Sequence, residues 1–433
     1  MTPSSEISGL YRKSIAERRA LARAWAGLSE EESRAWEFPP GVDPATLDRM
    51  IENVIGVMPI PLGVATHFRI NGKDYLVPMA IEEPSVVAAA SNSAKVARTS
   101  GGFFAQSTEP VMIGQVQIMD VADPAAARLR ILAARTELLA AANAKDPVLV
   151  KFGGGARELE VRVLPSPRGT IVVVHLLVDA RDAGGMNAVN TMCEALAPEL
   201  ARLAGGRSVL RIISNLAVHR LARARAVFPA AQLRTETMTG EEVVEGVLDA
   251  YAFAVADPFR CATHNKGIMN GISAVVLATG NDFRAIESGA HSFAAWKAAP
   301  DGAAIRPLTT YEKDRDGNLA ATIELPVPVG LIGGATAVHP TAKANVKLLG
   351  VASARELGEV LAAVGLAQNF AALRALATEG IQRGHMELHA RNLAASAGAR
   401  PDEVDRVVAR LVAERAIRFD RAKAVLEELR AGR

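Results

Sequence analysis

The stretch from Ala262 to His291, ATHNKGIMNGISAVVLATGNDFRAIESGAH, predicts the centre of the fold. It places Lys266 between an asparagine and a glycine, continues with almost uninterrupted apolar residues from Ile268 to Ala278, and breaks at Gly280 before Asp282. Because the apolar residues cover every side of a 3.6-residue period, they predict a helix that is buried all round. We expect a functional site on the polar ends of this helix.

Each polar end also has a structural alternative. A lysine in a loop is most often a solvated cation, and an aspartate that follows Gly-Asn is most often a helix N-cap. Spacing alone therefore leaves both catalysis and a plain structural role open for Lys266 and Asp282.

The composition indicates a protein of two or three domains without an electrostatic preference for polyanions. The 433 residues include 49 lysines and arginines against 47 acidic residues, and the net charge is +2. This balance argues against nucleic-acid binding. The N-terminus lacks the apolar core of a signal peptide, and no apolar run approaches the length of a membrane span, so we expect a cytoplasmic protein. Cys193 and Cys261 lie far apart and predict reduced thiols.

The N-terminal part predicts helices followed by a hairpin and an acidic turn. Helical patterns run from Ser14 to Trp36, with a second helix start at Ser29. The segments THFRI and KDYLVPM flank Asn71-Gly72, which favours a tight hairpin turn. The sequence Glu82-Glu83-Pro84-Ser85 then precedes an apolar helix. The two carboxylates either lie beside the helix N-terminus, where its dipole favours them, or include a general acid.

Residues from about Val111 to Asn215 have the order β-α-β-β-α-β, with one long first helix from Asp123 to near Lys145. This order predicts a ferredoxin-like unit, in which two helices cover one face of an antiparallel sheet. Between its third strand and second helix, residues 182–187 read DAGGMN. Two glycines before a helix N-terminus suit a pyrophosphate, although glycine turns before helices are also common without any ligand.

The C-terminal part contains one segment of uncertain role and one pair of histidines. The apolar, turn-rich run from Leu325 to Thr336 either lends backbone to a site or packs, and we favour packing. His385 and His389 are four residues apart, but the H-x-E-x-H spacing differs from H-E-x-x-H, so we expect one catalytic histidine and no metal. A last amphipathic helix from Asp402 to Arg430 predicts a separate C-terminal unit.

Taken together, six segments resemble the class II, bacterial-type 3-hydroxy-3-methylglutaryl-CoA (HMG-CoA) reductases in order and spacing, from about Ser8 to the C-terminus. They read ENVIGVMPIPLGVA, EEPSVVAAAS, RDAGGMNAVNTMCEA, THNKGIMNGISAVVLATGNDFRAIESGAHS, GLIGGATAVHP and EGIQRGHMELHARN. The resemblance implies an α+β fold. It has a large substrate-binding domain around a central buried helix (residues 1–109 and 218–378), an inserted ferredoxin-like dinucleotide-binding domain (110–217) and a C-terminal helical flap (379–433).

The resemblance also implies the reaction and the partners. HMG-CoA and two reduced nicotinamides would be converted, reversibly and in two steps that transfer four electrons, to mevalonate and free CoA. No metal is expected. The expected assembly is a homodimer, or a higher assembly of dimers, with active sites at the subunit interface. NADH is expected in preference to NADPH, because Asp146 matches an acid near the adenosine ribose, where a carboxylate accepts a hydrogen bond from the 2′-hydroxyl and repels a 2′-phosphate.

Four residues are implied to be catalytic. Lys266 would stabilise the oxyanion that forms at the thioester. His385 would protonate the departing CoA thiolate, and Glu83, as a protonated carboxyl group, would assist the second reduction. Asp282 would form hydrogen bonds to Lys266 and Glu83. The implied substrate-binding residues are Ser85, Arg260 and Asn270, with Gln368 and Asn369 near the CoA end. The implied cofactor-binding residues are Asp146, Asp182, Ala183, Gly184, Gly185, Met186, Asn187 and Asn215.

One residue departs from the family pattern, and two other function classes stay open. The family loop usually reads D-A-M-G, and Gly184 here replaces the methionine, which removes an apolar contact and bears on cofactor affinity. A CoA-thioester hydrolase or acyltransferase could also use a lysine, an acid and a histidine. A noncatalytic CoA-binding protein would need none of them to react.

The central helix itself predicts the dimer. Twelve residues from Ile268 to Thr279 span roughly 18 Å at 1.5 Å per residue, so Lys266 and Asp282 cannot meet within one straight helix. A two-fold axis would bring the Lys266 end of one subunit to the Asp282 end of the other.

Overall fold

A computed structural model of the chain describes Ser5 and residues 7–334, 338–378 and 381–432, without the side chains of 381–388. The chain forms two compact units, Met1–Pro61 and Leu62–Arg433. In the first unit, Ser14 and Ser29 each start a helix with a capping box, as the sequence predicts at Ser29. Its helices are α1 (Ile15–Ala26), α2 (Glu30–Ser33) and α3 (Pro44–Met50).

The second unit begins with the predicted hairpin. Strands β1 (Leu62–Ile70) and β2 (Lys73–Ala80) pair antiparallel, and Asn71 and Gly72 form the turn with φ values of 51° and 83°. These positive angles are the reason for the Asn-Gly pair. Helix α4 (Val86–Arg98) and strand β3 (Phe104–Ser107) follow.

A four-stranded antiparallel sheet with its own hydrophobic core comes next, in the predicted order of elements. The spatial order β5-β6-β4-β7 is the ferredoxin-like one, because each strand-helix-strand connection passes over one intervening strand. Its elements are β4 (Val111–Met119), α5 (Pro124–Ala133), α6 (Arg135–Asn143), α7 (Pro147–Lys151), β5 (Gly155–Ser166), β6 (Gly169–Asp179), α8 (Met186–Ala204) and β7 (Arg207–Ser214). The single long helix predicted from Asp123 to Lys145 is wrong, since the chain leaves helical geometry at Ala134, and Asp146-Pro147 starts a further helix.

The remaining part of the second unit builds a larger core around a second four-stranded sheet, ordered β3-β8-β10-β9. All of its strand pairs are antiparallel. Its elements are β8 (Leu221–Phe228), α9 (Gly240–Ala256), α10 (Pro258–Ala278), α11 (Phe283–Ala298), β9 (Thr309–Lys313), β10 (Leu319–Pro326), α12 (Pro340–Leu349) and α13 (Ala354–Ala377).

Helices α10 and α13 form an antiparallel pair whose close approach depends on two glycines. Gly271 lies against Gln368, and Gly365 lies against Ile272. A Cβ atom on Gly365 would come within 2.6 Å of the Ile272 Cδ1 atom, which is closer than packed atoms can lie. At both glycines, side-chain atoms of the facing helix therefore fill the space that a Cβ atom would need.

The central helix α10 is longer than the sequence suggests. It begins at Pro258, after the Asp257 side chain accepts a hydrogen bond from the Arg260 N–H, so Lys266 lies within the helix and not in a loop. The apolar run is buried as predicted, apart from Leu277, which is 36% exposed.

The expectation that no apolar run approaches the length of a membrane span is wrong for helix α13, which is long and apolar enough to cross a membrane by length and composition. However, 67% of its apolar window is buried inside the protein. Core helices of this kind pass the same test.

The chain ends in helices α14 (Ile381–Ser396), α15 (Pro401–Ala413) and α16 (Phe419–Arg430). They share a separate hydrophobic cluster that includes Ala394, Leu411 and Val425. The single last helix predicted from Asp402 to Arg430 is wrong, because the chain turns between α15 and α16, where Arg415 has a φ of 51°. The domain boundaries at 110, 218 and 379 stay a prediction.

Candidate active site

A cavity of ≈ 480 Å³ lies where the start of α4 meets α10 and α13. This volume is within the range of small-molecule binding sites. Seven of the residues predicted to bind substrate or to react line this cavity. They are Glu83, Ser85, Arg260, Lys266, Asn270, Gln368 and Asn369.

One side of α10 supplies several of the polar residues of the cavity. Five residues of this helix line the cavity, each one or three positions after the one before it: Arg260, Thr263, Lys266, Gly267 and Asn270. At about 100° per residue they cover an arc of roughly 120°. A single rigid helix thus presents two cations and an amide to the same space.

Lys266 and Glu83 form the polar contact at the centre of this site. The Lys266 Nζ atom lies 3.2 Å from Glu83 Oε2, and Asn270 Nδ2 lies 3.4 Å from the same oxygen. The Glu83 carboxylate thus accepts from two side chains of α10, and its position just before α4 leaves a favourable interaction with the dipole of that helix open as well. The two side chains are 60% and 32% exposed, so the ion pair adds little to stability and both groups stay accessible to a ligand.

Ser85 holds a strained position beside this contact. Its φ is 75°, in the left-handed region, and its side chain does not cap α4. Such a backbone costs on the order of 1–3 kcal/mol for a residue with a side chain and is found mainly at functional sites. The Ser85 hydroxyl and the positive end of α4 therefore both remain open to an anionic ligand in the cavity.

A buried polar network supports the floor of the cavity. Asn369 accepts hydrogen bonds from Thr309 and Tyr311 and donates one to the His264 carbonyl, so its side-chain oxygen is already fully used within the protein. Gln368 is buried, and its Oε1 atom has no hydrogen-bond partner in the described part of the chain. Of these two predicted substrate-binding residues, Gln368 is the one with an acceptor left for a ligand.

Within this network, burial lowers the pKa of His264 to about 3, with the nearby Arg260 charge as a smaller cause. The imidazole is therefore neutral at physiological pH, and its Nε2 atom lies 2.6 Å from the Thr309 hydroxyl. This network was not predicted from the sequence. The available signal was the polar pair His264-Asn265 immediately before an apolar run.

Asp282 lies outside the cavity and caps a helix. Its carboxylate accepts hydrogen bonds from the backbone N–H groups of Arg284 and Ala285 and forms a 3.1 Å ion pair with Arg284. The thirteen residues from Lys266 to Ala278 span about 18 Å of unbroken helix, from twelve rises of 1.5 Å. The structure therefore separates Lys266 from Asp282 within one chain.

The predicted dinucleotide loop, Asp182 to Asn187, leads into α8. Gly185 is the N-cap of that helix with a φ of 93°, and a Cβ atom there would lie 2.9 Å from the Ala180 Cβ. No side chain caps α8, so the N–H groups of its first turn can receive an anion such as a pyrophosphate. Met186 and Asn187 are exposed on that turn. The donor set thus fits a dinucleotide.

The loop is held against the larger core. The Asp182 carboxylate accepts a 2.7 Å hydrogen bond from the Ala354 N–H at the start of α13, and its carbonyl accepts from the Leu331 N–H. A Cβ atom on Gly330 would lie 2.4 Å from the Gly184 nitrogen. The turn-rich segment therefore packs against the loop, as favoured, although residues 335–337 lie outside the described part.

The loop and the cavity lie at opposite ends of the α10–α13 pair. The start of α13 binds Asp182, whereas Gln368, fourteen residues later, lines the cavity. Fourteen helical residues span about 21 Å. Asn215 is exposed at the end of β7, with its carbonyl against Gly289 of α11.

Asp146 is the N-cap of α7, and its carboxylate accepts a 2.8 Å hydrogen bond from the Leu149 N–H. That bond uses one oxygen, and the other remains for a ligand. Helix α7 ends near Gly153, whose carbonyl accepts a hydrogen bond from Arg181, the residue before the loop.

The His385 side chain lies outside the described residues. Among those described, no group of three or more potential metal ligands is brought together.

Known proteins match nearly the whole chain. A family profile for hydroxymethylglutaryl-coenzyme A reductase matches residues 14–390. A 3-hydroxy-3-methylglutaryl-coenzyme A reductase of Archaeoglobus fulgidus is 59% identical over 428 residues, covering 99% of this chain and 95% of that protein. A probable reductase of the same name from Borreliella burgdorferi is 33% identical over 393 residues, covering 89% of this chain and 86% of that protein.

A solved structure agrees with the sequence matches. The class II reductase from Streptococcus pneumoniae, bound to NADPH in open conformations, is similar with a TM-score of 0.75 and 42% identity, covering 96% of this chain and 100% of that chain. The predicted α+β fold is thereby confirmed. On these matches, the chain belongs to the hydroxymethylglutaryl-coenzyme A reductase family.

Proposed function

We propose that this protein catalyses the reversible, two-step interconversion of HMG-CoA with mevalonate and free CoA, using two nicotinamide cofactors. The observation that carries the proposal is the contact of Lys266 and Asn270 with Glu83 in a cavity that also contains Arg260. An ammonium, a carboxyl group and a guanidinium are the groups needed to polarise a thioester, assist proton transfer and bind a carboxylate.

The substrate carboxylate is assigned to Arg260, Ser85 and the N-terminus of α4. The guanidinium provides paired donors for a carboxylate, and the helix end adds a positive potential. Binding there places the thioester end of the substrate within reach of Lys266, further along the same side of α10.

Lys266 stabilises the developing negative charge on the thioester oxygen by donating a hydrogen bond to it. When bound, the reduced nicotinamide supplies the hydride for each step. His385 then gives a proton to the CoA thiolate, a role that rests on the family resemblance. Glu83, held by Lys266 and Asn270, assists the second reduction by supplying a proton to the aldehyde oxygen.

The cofactor is assigned to the loop from Asp182 to Asn187, together with Asn215 and Asp146. The uncapped first turn of α8 receives the pyrophosphate. The second oxygen of Asp146 favours NADH over NADPH, because a fixed carboxylate accepts from a ribose hydroxyl and repels a phosphate. The similar pneumococcal structure is bound to NADPH, so the preference proposed for this chain rests on Asp146 alone.

The active enzyme is a two-fold homodimer in this proposal. Hydride transfer needs the cofactor next to the substrate, yet the loop and the cavity lie about 20 Å apart along α10 and along α13. A two-fold axis brings the loop and Asp282 of one subunit to the cavity of the other. Phe253 and Phe259, 57% and 84% exposed near the start of α10, are apolar surface available for such an interface. A cytoplasmic location, expected from the sequence, stays a prediction.

One assay separates this proposal from the two alternatives. Purified protein is mixed with mevalonate, CoA and oxidised cofactor, and the absorbance of the reduced nicotinamide is followed. We expect it to rise, and to fall when HMG-CoA and NADH are supplied instead. Release of CoA from HMG-CoA without cofactor would indicate a hydrolase, and binding of CoA without either reaction would indicate a noncatalytic protein.

A further inference from the structure

Arg220 is a buried arginine that contacts the dinucleotide loop from behind. It precedes β8 and is 5% exposed. Its Nη1 atom donates to the carbonyls of Ala183 at 3.0 Å and Gly184 at 3.3 Å, and its Nη2 atom donates to the Val329 carbonyl. One guanidinium therefore joins two segments that lie 36 and 109 residues away in sequence.

These bonds connect the loop to the end of the central helix. Val329 is followed by Gly330, whose N–H donates at 2.8 Å to Asn281 Oδ1, and Asn281 precedes Asp282. The chain of contacts runs from the loop through Arg220 and Gly330 to the cap of α11. The position of the loop is thus fixed relative to the end of α10.

Arg220 also determines which way the loop peptides point. The C=O and N–H groups of a trans peptide point in opposite directions, so binding the Gly184 carbonyl directs the Gly185 N–H away from the arginine. That N–H belongs to the cap of α8, on the side where an anion is expected. Gly184 carries no side chain that could hold the peptide in place, so the guanidinium performs this task.

The side chain is charged when it does so. Burial lowers the pKa of Arg220 to about 10, and the charges of Asp179 and Asp182 oppose that shift. At neutral pH a buried positive charge therefore lies directly behind the loop, and it adds to the potential that attracts a pyrophosphate.

We infer that Arg220 is a positioning residue that sets the affinity for the dinucleotide by holding the carbonyls of Ala183 and Gly184, without touching the cofactor. The inference rests on the proposed function, because it takes residues 182–187 as the cofactor loop. It predicts that the planar, multiple-donor guanidinium is needed here, since an ammonium cannot reach three carbonyls in two segments with the same geometry.

The test compares Arg220→Lys and Arg220→Met with Arg223→Met in the full-length enzyme. Arg223 lies three residues further along, on β8, is 39% exposed and pairs with Glu324, so it controls for the loss of an arginine from the same region. NADH binding is titrated directly by nucleotide fluorescence, and KM for NADH and for HMG-CoA are measured separately. Melting temperature monitors the fold.

We expect Arg220→Lys to weaken NADH binding and raise its KM by roughly tenfold or more, the equivalent of about 1.4 kcal/mol. KM for HMG-CoA should stay within about twofold, and Arg223→Met should leave both values unchanged. If the Arg220→Met variant does not fold, the Arg220→Lys variant alone tests the inference. Unchanged NADH binding in a folded Arg220→Lys protein would overturn the inference, whereas a wild-type protein that binds NADH without reducing HMG-CoA would overturn the proposed function alone.

Discussion

The Lys266 ammonium lies 3.2 Å from the Glu83 carboxylate, although 183 residues separate them in sequence. Lys266→Ala should lower kcat by about 10²–10³, the usual effect of removing one oxyanion donor.

Glu83→Gln should impair reduction of added mevaldehyde, because the amide cannot supply the proton. Glu82→Gln is the matched control, since Glu82 is the exposed neighbour in the same turn. Equal losses from the two glutamine variants would contradict the assignment.

Asp146 is predicted to select NADH through its charge. Asp146→Asn retains a capping side chain for α7 but removes the repulsion of a 2′-phosphate, so the ratio of kcat/KM for NADH over NADPH should fall by roughly tenfold or more. Asp123→Ala provides the control, because Asp123 also caps a helix before a proline in the same sheet domain. An unchanged ratio in Asp146→Asn would leave Asp146 with a capping role only.

Gly330 and Gly184 should respond differently to the same substitution, although neither has a φ in the left-handed region. The Cβ atom of Gly330→Ala would meet the Gly184 nitrogen at 2.4 Å, whereas that of Gly184→Ala would meet only the flexible end of Met186 at 3.2 Å. Gly330→Ala should cost about 1–3 kcal/mol in unfolding free energy and raise KM for NADH. Gly184→Ala should be tolerated. Similar denaturation midpoints for the two variants would refute the close packing of this loop.

His264 should make the protein sensitive to acid. Its pKa is lowered to about 3 in the folded state by burial, from about 6.5 when unfolded. Between these values the unfolded state binds the extra proton, so stability is complete above pH 6.5 and falls as the pH decreases toward 3. The loss approaches about 1.4 kcal/mol per pH unit for this group. His264→Asn should flatten the slope in urea unfolding, and the exposed His219→Asn should not. A wild-type slope in His264→Asn would exclude this group as the cause.

The dimer can be tested by complementation. Lys266→Ala and Asp282→Ala subunits should each be inactive alone. If they exchange at equal amounts, half of the dimers are mixed and one of their two sites is intact, so about a quarter of wild-type activity should return. Mass spectrometry verifies that mixed dimers form. Verified mixed dimers without activity would show that the two residues act within a single chain.

Local sequence signals predicted much of this fold, and contacts between distant segments account for what was missed. Asn71-Gly72 indicates its own turn because few residues adopt its backbone angles. The start of α10 at Asp257-Pro258 was readable, but the polar residues around Lys266 suggested a loop, because their burial depends on β9 and α13. Arg220 gave no signal, since a lone arginine near a strand normally faces solvent and only tertiary packing brings three carbonyls to it.

The separation of the cavity from the loop along α10 and α13 has a genetic consequence if the enzyme is the proposed dimer. Each chain then contributes to two active sites, one at each end of the same helix pair. When a subunit altered only at Lys266 pairs with a normal subunit, the site that uses the altered lysine is lost. The other site remains intact, because it uses Lys266 of the normal subunit and Asp282 of the altered one. A subunit altered at both Lys266 and Asp282 would disable both. Alleles that damage both ends of these helices would therefore be more strongly dominant than alleles that damage one.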